Sequence, residues 1–135
     1  MRAAKPFFDS NIVLYLLSAD QRKANLAEAL VRDEGTVSVQ VLNEVASVCR
    51  RKLGLGWPDL DELLEAVHAH CTIADLTLQT HQEGLRIARE HGLNLYDAMI
   101  LASALLADCS ILYSEDMQDG LVVDKKLKLV NPFRS

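Results

Sequence analysis

Short apolar runs alternate with helical patterns along the whole chain, and this alternation limits the possible folds more than any other feature. Residues 6–9 (Pro-Phe-Phe-Asp), 36–38, 71–73, 110–113 and 126–130 have the length and the apolar or β-branched content of strands. Between them the apolar positions recur at helical spacing over 12–17, 20–33, 39–53, 78–91 and 95–107, and in a segment opened by Pro58. Strands separated by helices require crossover connections, so the pattern predicts an α/β fold around a central parallel sheet. The 135 residues read as a single domain spanning 1–135, without repeats, linkers or low-complexity stretches. A chain of this length buries roughly two-thirds of its unfolded surface, enough for a real core. The last run, 126–130, places lysines on one side and reads as a strand at a sheet edge.

Composition removes several classes of function. Hydrophobic residues make up 50% of the chain, which excludes disorder. The longest near-apolar run, 98–107, is too short to span a bilayer. Arg2 and Lys5 precede Phe7-Phe8 in the manner of a secretion signal, but Asp9 and Asn11 break the apolar run and no cleavage pattern follows. A cytoplasmic protein is expected. Cys49, Cys71 and Cys109 are odd in number and widely spaced, as buried reduced thiols would be. The net charge of −5 argues against holding nucleic acid by bulk attraction. It leaves room for an enzyme that gathers acids around a metal and meets phosphate through it.

Four acids occupy informative positions. Asp9 and Asp116 each follow an apolar strand, and ligands of parallel sheets bind beyond the carboxyl ends of the strands. As ordinary structure, Asp9 would be a helix cap and Asp116 a turn acid. Asp97 is the only charged residue of the helix at 95–107, where a carboxylate needs a partner, a hydrogen bond or a metal. Its competing explanation is a first-turn capping interaction with Asn94, three residues earlier. Glu44 sits in the polar stripe Gln40, Asn43, Glu44, Ser47, Arg50 and Arg51 of the helix at 39–53, where a solvated role is the ordinary expectation. Ser47 and Arg51 share its face. Carboxylates collected from separate elements suit hard cations such as Mg²⁺ or Mn²⁺.

The segments Phe-Phe-Asp-Ser-Asn (7–11), Asn-Glu-Val (43–45), Tyr-Asp-Ala-Met-Ile-Leu-Ala-Ser-Ala (96–104) and Ser-Glu-Asp-Met-Gln-Asp-Gly (114–120) occur in that order, with Leu-Val-Asn-Pro-Phe (129–133) closing the chain. In this the sequence resembles the PIN-domain family, in particular VapC-like ribonuclease toxins of type II toxin–antitoxin systems. The resemblance runs essentially end to end. It implies a three-layer α/β/α fold with a central parallel sheet, and Mg²⁺- or Mn²⁺-dependent endoribonuclease activity on an RNA substrate. By position it implies Asp9, Glu44, Asp97 and Asp116 as catalytic metal ligands, with Asp119 as a further acid near the metal. Asn11 and Ser114 would orient the ligands. The resemblance also implies a cognate antitoxin and a homodimer.

Other readings compete. Arg50 and Arg51 are candidates for RNA phosphate contact, but basic residues at a helix C-terminus are favourable in any case. His68 and His70 lie two apart on a helix and face different ways, so a zinc site with Cys71 is not expected. A non-cleaving PIN-like module that binds RNA or protein would show a lost acid, and none is lost. A phosphoacceptor receiver would carry paired acids early in the chain, whereas Asp9 stands alone. A phosphatase with an Asp nucleophile would need a second Asp where Asn11 stands.

Overall fold

The computed structural model describes residues 5–134, so the reading of Arg2 lies outside the described residues. Six strands form one sheet in the order β3-β2-β1-β4-β6-β5. They are β1 (Phe7–Phe8), β2 (Gly35–Ser38), β3 (Cys71–Ala74), β4 (Ile111–Tyr113), β5 (Val122–Val123) and β6 (Leu127–Val130). All neighbouring pairs are parallel except β5 with β6. The helices are α1 (Ser10–Leu14), α2 (Gln21–Arg32), α3 (Val39–Arg51), α4 (Trp57–His70), α5 (Leu78–His91) and α6 (Leu95–Leu106), with a 3₁₀ turn at Tyr15–Leu17 after α1. Helices α1 to α4 pack among themselves, and α5 packs on α6, giving the helical layers of an α/β/α sandwich.

The strands lie where the apolar runs place them, and burial explains their composition. Phe7, Phe8, Val37, Leu112, Leu127 and Leu129 are almost wholly removed from solvent. Strands covered on both faces read as continuous apolar runs rather than as alternation. Gly35 begins β2 because nothing larger fits there. A Cβ at that position would lie 2.4 Å from the Phe8 ring and 2.8 Å from the Pro6 carbonyl oxygen. Gly92 ends α5 in the left-handed conformation, φ 66°.

The structure corrects the reading of 126–130 as an edge strand. β6 is paired on both sides, and the edge is the two-residue β5. β5 is held by a tight turn in which Asp124 and Lys125 have φ of 54° and 57° and Lys126 N–H donates to the Val123 carbonyl at 3.1 Å. Two central residues with positive φ make this the turn whose twist suits a hairpin. The helix at 95–107 also differs from a fully buried one, because Tyr96 in its first turn is 69% exposed. The three cysteines are free and buried, as expected.

Candidate active site

Chain direction within the sheet sets the location. β2 and β3 extend to one side of β1, and β4 and β6 to the other. In an open parallel sheet, a crevice forms beyond the strand ends where the order reverses, here between β1 and β4. Asp9 leaves β1 as the N-cap of α1, and its Oδ1 accepts the Ser10 N–H at 2.7 Å. Ser114 leaves β4, and its hydroxyl donates to Asp9 Oδ2 at 2.7 Å. Asn11 joins the two loops. Its Nδ2 donates to Asp116 Oδ2 at 3.1 Å and more weakly to Asp9 Oδ2 at 3.4 Å, while its Oδ1 accepts the Glu115 N–H at 3.2 Å. The capping explanation of Asp9 is therefore correct as far as it goes, and the same side chain also ties β1 to β4.

Asp9 is only 5% exposed. Burial pushes its pKa up to about 6 from the ordinary 3.8, although the Ser114 and Ser10 hydrogen bonds favour the charged form. Glu44 and Asp97 raise it further through their negative charge, so both lie within electrostatic reach of Asp9. Glu44 projects from α3, and its Oε1 accepts from Gln40 Nε2 at 3.1 Å, one helical turn earlier. The same Nε2 donates to the Tyr96 carbonyl in α6 at 3.0 Å. Asp97 sits in the first turn of α6. Its N–H donates to Asn94 Oδ1 at 2.9 Å, and Asn94 Nδ2 returns a bond to Asp97 Oδ2 at 2.8 Å. The capping pair expected from the spacing is thus present.

These bonds follow a common scheme. Glu44, Asp97 and Asp116 each have one carboxylate oxygen held by a side-chain amide, from Gln40, Asn94 and Asn11 respectively. Among the described residues no three His, Cys, Asp or Glu side chains form a ready-made metal cage. The arrangement is an open set of oxygen donors: Asp9 and Asp116 share Asn11, and Glu44 and Asp97 act on Asp9 through their charge. Its chemistry fits a hard divalent cation that keeps several waters, and not a soft metal held by Cys and His. Clefts flank it on two sides. One of about 550 Å³ is lined by Asn11, Leu14, Tyr15, Val48, Leu53 and Asp116, and one of about 390 Å³ by Asn43, Glu44, Ser47, Leu76, Tyr96 and Met99.

Other sequence candidates lie elsewhere. Asp119 accepts from the Asn131 N–H at 2.8 Å and from Arg134 at 3.2 Å, and these partners hold its pKa below the usual value. Its carboxylate anchors the C-terminal segment. The Arg50 guanidinium lies 3.9 Å from the Trp57 ring centroid and donates to the Leu55 carbonyl at 2.8 Å, which ties the end of α3 to the loop before α4. Arg51, His68 and His70 are exposed. Two features were missed from sequence. Gln40 looked like one more polar residue of a surface stripe, yet it is 8% exposed. Glu115, next to Asp116, accepts from the Tyr15 hydroxyl and pairs with Lys23 at 3.0 Å, which ties its loop to α2. Neither contact leaves a local signal, because the partners are far away in sequence.

Comparison with known proteins agrees with this fold. A search of curated proteins returned no match. Among solved structures, the chain is similar to a toxin–antitoxin complex from Klebsiella pneumoniae, with TM-score 0.73 and 21% identity over 96% of this chain and 99% of that one. It is similar to VapBC2 from Rickettsia felis bound to a promoter DNA fragment, with TM-score 0.65 and 17% identity over 92% and 96% of the two chains. VapC20 of Mycobacterium tuberculosis, described as a sarcin-ricin loop cleaving toxin, gives TM-score 0.63 and 16% identity over 82% and 89%. At these identities the likeness establishes the fold. The PIN domain sequence profile matches residues 7–118, most of the chain, and with the strand order and the acids at the β1–β4 crevice it shows that this chain belongs to the PIN domain family.

Proposed function

We propose that this chain is a divalent-metal-dependent endoribonuclease, with Asp9, Glu44, Asp97 and Asp116 as the Mg²⁺ or Mn²⁺ ligands, and that it is the toxin of a toxin–antitoxin pair. The observation that carries this reading is the buried Asp9 carboxylate, raised to a pKa of about 6 within the field of Glu44 and Asp97 and joined through Asn11 to Asp116. An acid kept in so unfavourable a place gains most from a cation. When bound, the ion supplies positive charge for a phosphodiester and its departing oxygen and makes a water a better nucleophile.

The chain's own residues do the rest. Above pH 6 Asp9 is mostly ionised, and Ser114 and Ser10 fix the direction of its oxygens. The amides of Gln40, Asn94 and Asn11 each take one oxygen of a neighbouring acid and leave the other for a ligand. The flanking clefts give nucleotides on either side of a scissile phosphate partly apolar walls. Asp119 is outside the proposed ligand set, because its carboxylate is committed to Asn131 and Arg134.

Partners are proposed on the same basis. The Klebsiella and Rickettsia relatives were solved with antitoxins, and the mycobacterial one is described as cutting the sarcin-ricin loop. These support an antitoxin partner and an RNA substrate here. An acidic crevice is also a natural target for a basic side chain from an inhibitor. Exposed Tyr96 and Leu78, 69% and 70% accessible, supply apolar surface for a homodimer. No helix of the described residues is long and apolar enough to cross a membrane, and we place the enzyme in the cytoplasm with its RNA.

The test is incubation of protein freed of any copurified partner with total RNA in Mg²⁺, in Mn²⁺ and in EDTA, with Asp97→Asn in parallel and new 5′ ends mapped. The expected result is discrete metal-dependent cuts, reduced at least about 100-fold in Asp97→Asn. Full cleavage by Asp97→Asn would remove Asp97 from the assignment. No cuts from folded, metal-binding protein would favour a non-cleaving binding module.

A further inference from the structure

Gln40 is almost wholly buried, and its side-chain nitrogen bonds across two helices to Glu44 Oε1 in α3 and to the Tyr96 carbonyl, next to Asp97, in α6. Its other atom, Oε1, is buried with no hydrogen-bond partner among the described residues. The reverse orientation would set that oxygen against two acceptors, so the contacts fix which end faces the acids. A buried acceptor without a donor is unfavourable, and a methionine or leucine in the same space would remove it, at the loss of the two bonds from Nε2. Glu44 is only half-buried and keeps access to water, so stability alone does not call for a glutamine at this position. The Tyr96 carbonyl does not depend on Gln40 either, since a first-turn carbonyl already has its acceptor role within the helix.

We propose that Gln40 is a positioning residue of the acidic site: it orients the Glu44 carboxylate and fixes the spacing of α3 to α6, and so of Glu44 to Asp97. The inference rests on the nuclease reading of the site and deepens it. Gln40 is outside the proposed metal ligands, although it lines the cleft beside Glu44. It acts through Glu44, whose second oxygen it leaves turned away from its own bond. A local rule broken in the interior, with the benefit visible only at a neighbouring acid, is the pattern expected where geometry serves a ligand.

The test compares Gln40→Met with the unaltered chain by melting and by calorimetric titration of Mn²⁺. The expected result is a melting temperature equal to or above that of the unaltered chain, with Mn²⁺ affinity lower by about tenfold. Unchanged affinity overturns the proposal, and so does an affinity loss that comes with a matching loss of stability. Should Gln40→Met not fold, NMR of the unaltered chain decides. Slow exchange and a Mg²⁺-dependent shift of the Gln40 side-chain amide protons support the proposal, and solvent-like exchange overturns it. Asp9→Asn is the control for the site itself. If it binds Mn²⁺ as the unaltered chain does, the metal-site reading has failed and the Gln40 role falls with it. A loss confined to Asp9→Asn, with Gln40→Met binding normally, refutes the Gln40 role alone.

Discussion

Asp9 holds its proton more tightly in the folded protein than in the unfolded chain, and this has a direct thermodynamic effect. Its folded pKa of about 6 lies above the ordinary 3.8, so between those values the native state binds more protons than the unfolded one. The contribution of this group is fully favourable below pH 3.8 and is lost as pH rises through about 6. The displacement corresponds to about 3 kcal/mol. Asp9→Asn is therefore expected to raise the melting temperature at pH 7 in EDTA, with the gain vanishing below about pH 4. A thermal melt series across pH 3 to 8 checks this, and a variant less stable at pH 7 would show that the carboxylate is not strained. The place of Asp9 at the end of a strand was legible in sequence, but its burial was not. Gln40 was illegible for a different reason: its meaning comes from the Tyr96 carbonyl, 56 positions away, and a stripe of polar residues cannot distinguish an inward member.

Elements were read well where burial dictates composition and poorly where pairing does. The runs containing Phe7-Phe8, Val37 and Leu112 show as strands because both of their faces are covered. β5 has two residues, and its short apolar run, 121–123, follows the loop Ser-Glu-Asp-Met-Gln-Asp-Gly closely enough to read as part of it until the tight turn pairs it with β6. For the same reason 126–130 looked like an edge, since its lysine pattern was visible and its second neighbour was not. The contact between β1 and β2 gives a sharper prediction. Gly35→Ala would drive a methyl group into the Phe8 ring and the Pro6 carbonyl. The expected cost is about 1–3 kcal/mol, read as a lower urea midpoint. Because Phe8 directly precedes Asp9, Mn²⁺ affinity should fall as well. An unchanged midpoint would mean that β1 shifts freely, which the tight fit argues against.

The proposed ligands come from the end of β1, α3, α6 and the loop after β4, so on that proposal metal binding and global folding are linked. A ligand that binds only the native state stabilises it by about 2.7 kcal/mol at one hundred times its dissociation constant. Mn²⁺ is thus expected to raise the melting temperature of the unaltered chain and to leave that of Asp9→Asn unchanged, which differential scanning calorimetry can check. Equal shifts in both would place the ion elsewhere. The fold class was legible because the order of apolar runs and helical patterns along the chain is informative. The joining of Asp9 to Asp116 was not, since it depends on β1 and β4 becoming neighbours although roughly a hundred residues separate them. That pairing also carries a consequence for how the protein is made. β1, at residues 7–8, can take its place in the middle of the sheet only once β4, at residues 111–113, has been made, so the contact through Asn11 that joins Asp9 to Asp116 is closed by a late arrival, after the helices between them have had time to form.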